Sequence, residues 1–78
     1  MELKLGNIQQ ALTLLIEAVQ LSPSNAEVNA HLGDAFYQAG QPLQAVYQWD
    51  RALMLGPDAE LGATLLKQIK QAVGTSAP

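Results

Sequence analysis

Residues 40–57 read GQPLQAVYQWDRALMLGP, a segment bounded by Gly40 and Pro57 that carries the only tryptophan of the chain, Trp49. Leu43, Ala45, Val46, Tyr47, Trp49, Ala52 and Leu53 recur at spacings of three and four, the period of one helical face. Pro42 suits the first helical position, where its missing N–H costs nothing, and Gln41 stands where a cap belongs. Pro57 stops the helix. A tryptophan beside Asp50 and Arg51 raises the choice between a reactive cleft and a packing module.

The answer comes from a second copy upstream. Residues 6–23, GNIQQALTLLIEAVQLSP, repeat the punctuation at an offset of 34, the distance from Gly6 to Gly40. Gln10 answers Gln44, Ala11 answers Ala45, Ala18 answers Ala52, Leu21 answers Leu55 and Pro23 answers Pro57. Trp49 is answered by plain Leu15, which favours a core role over chemistry. Between the copies, Ser24 and Glu27 have the spacing of a capping box. Val28, Leu32, Ala35, Phe36 and Ala39 then give an apolar face that Gly40 closes in the left-handed conformation. A last helix starts after Asp58 as N-cap, with Leu61, Leu65, Ile69, Ala72 and Val73 on one face. The spacing therefore predicts an all-α chain with helices over 7–21, 25–39, 42–55 and 59–73.

These residues carry a family resemblance. Residues 26–59 resemble one tetratricopeptide repeat (TPR): Leu32 and Gly33 match the Leu-Gly pair, Phe36 takes the aromatic place, and Ala45 and Trp49 match the Ala-x3-aromatic pair. Ala52 matches the second small position and Pro57 closes the 34-residue unit. Asn29 departs from the pattern, which prefers tryptophan there. The resemblance implies antiparallel helix pairs in a short right-handed solenoid, with residues 1–78 forming one domain. Within it, 1–23 would end one repeat, 26–59 form a full one, 60–74 cap the array and 75–78 fray. Met1 to Leu5 would be the last turn of a preceding helix, ended by Gly6. Lys67 and Lys70, standing where Gly33 and Phe36 would recur, suit a capping helix with a polar outer face. The order of motifs also resembles the C-terminal end of bacterial multi-repeat TPR proteins.

Function follows from the resemblance as an expectation: a non-catalytic module that binds a partner peptide or protein in a concave groove. Carried onto this sequence, the groove places are Glu27, Ala30, Asp34, Tyr37 and Gln38, continued by Thr64, Gln68 and Gln71. TPR domains that grip a peptide's terminal carboxylate use lysine, asparagine and arginine there, because a carboxylate needs cationic and amide donors. Here Ala30, His31 and Asp34 hold those places, so a guest with basic or neutral polar side chains fits better. The alternative is an end cap or self-association element, in which Leu12, Leu15, Ile16 and Val19 form an exposed stripe that a second copy covers.

Composition narrows the rest. Four Lys and Arg against seven Asp and Glu give a net charge of −3, which opposes nucleic acid, where clustered positive charge is needed. No cysteine is present, so disulfides and thiolate metal sites are excluded and no cofactor is expected. His31 and Asp34 share a helix face, yet no serine, cysteine or second histidine joins them, and no catalytic or metal residue is assigned. No apolar run reaches the roughly 18 to 20 residues of a membrane span. MELKLGN shows no charged segment followed by an apolar one, which fits a cytoplasmic chain or a piece of a longer one. As part of an exported bacterial TPR protein it would be periplasmic.

Overall fold

The computed structural model describes residues 5–74. It contains four α-helices: α1, Leu5–Leu21; α2, Ala26–Gln38; α3, Pro42–Met54; and α4, Ala59–Gly74. No strand occurs among the described residues. Residues 1–4 and the tail 75–78 lie outside them, and with them most of the expected preceding turn. Gly6 does not end that turn, because the chain is already helical from Leu5.

Each turn is set by local chemistry. Asn25, in extended conformation, is the N-cap of α2, and its side chain accepts from the backbone N–H of Val28 at 3.1 Å. The expected Ser24–Glu27 capping box is therefore displaced by one residue. With Asn25 as cap, Glu27 falls at the second helical position rather than the third, so the reciprocal bond cannot form. Asp58 caps α4 by accepting from Leu61 N–H at 2.8 Å. Gln41 occupies the cap position of α3 without using its side chain, and Pro42 begins the helix.

The two C-terminal turns are built on Gly40 and Gly56, with φ of +80° and +77°. After α2, Gly40 N–H donates to Tyr37 C=O and Gln41 N–H to Phe36 C=O. Those two bonds make a Schellman turn. After α3, Gly56 N–H donates to Leu53 C=O, but the next residue, Pro57, has no N–H for the longer bond. The same glycine geometry thus ends both helices, and proline removes one bond from the second.

Packing runs between sequence neighbours, α1 on α2, α2 on α3 and α3 on α4. One core joins Ala30, Ala45, Trp49, Ala52, Leu65 and Ala72, flanked by Phe36, Val46, Leu53, Leu61 and Ile69. A second joins Ile8, Leu12, Leu32 and Ala35, flanked by Leu15, Val19 and Phe36. Phe36 touches both clusters, so α2 is the shared wall. Small residues at Gly33, Ala45 and Ala52 let α2 and α3 approach closely, and the larger side chains fill the space around them.

This packing corrects three expectations. The stripe Leu12, Leu15, Ile16 and Val19 is not open: Leu12 is buried, Leu15 and Val19 pack against α2, and of the four only Ile16 is exposed. The side of α1 that carries them is the side α2 covers. The open apolar residues of α1 are instead Leu14, 67% exposed, and Leu21, 85% exposed, together with Ile16. On α3, Leu43 and Tyr47 also face solvent, because Ala45, Trp49 and Ala52 take the buried side. Val73 is exposed at the end of α4 as well.

Candidate functional site

A cavity of about 240 Å³ is lined by Asp34, Tyr37 and Gln38 of α2, Trp49 of α3, and Gln68 and Gln71 of α4. Asp34 organises it. Its Oδ1 accepts from the Trp49 indole Nε1–H at 3.0 Å and from the Gln68 amide Nε2–H at 3.2 Å. Asp34 and Gln68 stand 34 residues apart. That separation equals the repeat offset read from the sequence, and the two side chains meet directly.

Trp49 is only 2% exposed, yet its N–H reaches the cavity. The side chain is thus both core and site. Its six-membered and pyrrole rings supply buried area, while the indole N–H finds the partner that a buried tryptophan requires. The Tyr37 ring lies beside it, centroid to centroid 5.7 Å and tilted by 39°. Tyr37 itself remains 44% exposed and forms an open aromatic wall.

A second cavity, about 280 Å³, lies along the same two helices and is lined by Glu27, His31, Asp58, Glu60, Leu61 and Thr64. The groove residues read from the sequence are divided between the two. Asp34, Tyr37, Gln38, Gln68 and Gln71 line the first, and Glu27 and Thr64 the second. The Thr64 hydroxyl donates back to Glu60 C=O at 3.1 Å, which ties it to its own helix. Ala30 does not reach the groove: it is 3% exposed and belongs to the core with Trp49 and Leu65. Its small side chain sits where α2 meets the neighbouring helices, too short to extend past that contact.

Chemically the site offers hydrogen-bond donors and acceptors beside an open aromatic ring. Asp34 takes its two donors from Trp49 and Gln68 rather than from His31 one turn away. No group of three His, Cys, Asp or Glu that could hold a metal occurs among the described residues. No helix among them is long and apolar enough to cross a membrane. No lysine or arginine lines either cavity. The core role of Trp49 was legible in the sequence and its bond to Asp34 was not, although a signal existed: a buried indole N–H needs an acceptor, and Asp34 is one of two carboxylates on the helix that packs against it.

Comparison with known proteins agrees with this architecture. A family model described as TPR repeat matches residues 1–40, the segment that includes α1, α2 and the Gly40 turn. No curated protein and no solved structure matches the chain. Four helices packed in sequence order, Leu32 buried against α1, Gly33 set against Ala45 and Trp49 of α3, and a match over half the sequence lead to one assignment: the chain belongs to the tetratricopeptide-repeat family.

Proposed function

We propose that this chain binds a partner peptide or protein along the groove between α2 and α4, in keeping with TPR repeats, which generally serve protein–protein interaction and are generally non-catalytic. Residues 26–59 act as one full repeat and 60–74 as the helix that closes the groove. The observation that carries this reading is the cavity at Asp34, where polar donors, acceptors and the open Tyr37 ring from two helices converge. Tyrosine combines area with a polar tip at low entropic cost, a residue type enriched at interfaces.

The test is selection of binders from a displayed library of random peptides, followed by amide NMR mapping of a selected peptide on the protein. Shifts centred on Asp34, Tyr37, Gln68 and Gln71 are expected. Replacing Tyr37 and Gln71 by alanine should weaken capture while the melting temperature falls little, since both side chains are exposed. Shifts confined to the outer face of α1, or capture unchanged in the double variant, would remove the groove from consideration.

A second reading, an end cap or self-association element, is favoured by one asymmetry. Ala45, Trp49 and Ala52 of α3 are buried, whereas their equivalents Ala11, Leu15 and Ala18 of α1 are only half-buried, beside exposed Leu14 and Leu21. A further helix, or a second copy, would cover that face of α1.

A further inference from the structure

We propose that the cavity at Asp34 is a slot for one basic side chain, lysine or arginine, of the bound peptide. The inference rests on the groove reading above and names the chemistry that the groove selects. Both hydrogen bonds to the Asp34 carboxylate fall on Oδ1. Oδ2 receives none from the described residues and is not among the buried unpartnered atoms, so it stays open to a guest. An ionised carboxylate accepts up to about four hydrogen bonds. Two donors fix its orientation here without exhausting it.

The surroundings choose among guests. An acidic or C-terminal carboxylate group would meet Asp34 with no lysine or arginine in either cavity to offset the repulsion. An apolar side chain would strip water from the carboxylate and return no hydrogen bond, a costly exchange. A cation instead gains a charge-assisted bond to Oδ2. It also passes beside the exposed Tyr37 ring, whose face attracts positive charge. Because Gln68 uses its Nε2–H on Asp34, its Oε1 remains as an acceptor for a second N–H of the guest. The volume fits one side chain: about 240 Å³ lies below the roughly 300 to 1,000 Å³ of pockets that enclose a whole small molecule. The neighbouring cavity adds Glu27, Asp58 and Glu60 to the same side of the molecule, which steers a basic segment toward the groove.

The experiment is a coupling cycle. Peptides selected from the random library by the wild-type protein should share a lysine or arginine at one position. Replacing it with norleucine (for lysine) or citrulline (for arginine) should weaken binding about tenfold. In the Asp34→Asn protein, which keeps an oxygen acceptor for Trp49 and Gln68 and should melt close to wild type, the same peptide replacement should have no comparable effect. Wild-type affinity should also fall with added salt. Selected peptides without a common basic residue, or a peptide replacement that costs as much in Asp34→Asn as in wild type, would overturn the slot. NMR shifts still centred on the groove in that case would leave the groove reading standing. Shifts elsewhere, or no selected peptide, would overturn both.

Discussion

At the scale of single residues, Gly33, Trp49 and Asp34 form one unit. A methyl group at Gly33 would run into the Trp49 ring at Cδ1 and Nε1 and lie 3.1 Å from the Ala45 carbonyl oxygen. A rigid, enclosed indole cannot yield as a flexible chain would. Gly33→Ala should therefore destabilise the fold by about 1–3 kcal/mol through overpacking, read as a lowered thermal midpoint; an unchanged midpoint would contradict the close approach. Trp49→Phe makes a different demand. It keeps an aromatic ring in the core but leaves Asp34 with Gln68 as its remaining donor. A loss of about 1.5–3 kcal/mol is expected from the missing bond to a charged acceptor, measured by chemical denaturation. Pairing this change with Asp34→Ala, which removes the acceptor itself, should give less than the sum of the two single losses, because both act on one contact.

At the scale of elements, the caps make contrasting predictions. Asn25→Ala should cost about 1 kcal/mol, since its side chain satisfies the Val28 N–H at the start of α2. Gln41→Ala should cost almost nothing, because Gln41 makes no side-chain cap bond. Equal losses in denaturant titrations would show that cap position rather than cap bonding matters. The helices themselves were legible, since apolar period, Pro42, Gly40 and Pro57 all act locally. The Ser24 cap was misplaced because Ser24 and Asn25 are both good caps, and the choice lies in a backbone angle that composition does not carry. For α1 the failure had another cause. Periodicity identifies which residues are apolar, but Leu12 and Leu14 are both leucine, and only the approach of α2 decides that one is buried and the other open. The groove divides similarly: Asp34, Tyr37, Gln38, Gln68 and Gln71 meet around one cavity, while Ala30 lies beneath it and Trp49 reaches into it. The inner wall depends on the depth to which each side chain extends, which repeat spacing does not specify.

At the scale of the molecule, contacts between sequence neighbours produce a slab of 39 × 32 × 20 Å rather than a sphere. A fold of this kind is stabilised by a chain of nearest-neighbour interfaces. On α1, exposed Leu14, Ile16 and Leu21 leave an apolar side uncovered. Under the self-association reading, sedimentation of the wild-type protein should show a concentration-dependent dimer that Leu14→Glu with Leu21→Glu converts to monomer. A wild-type monomer at every concentration would dismiss that reading without touching the groove. The groove, for its part, carries its own optical reporter. The chain has a single tryptophan, enclosed by the core except where its N–H meets Asp34. Any guest that draws on that carboxylate alters the field around the indole, so occupancy of the groove should be visible as a change in intrinsic emission, with no dye or tag attached.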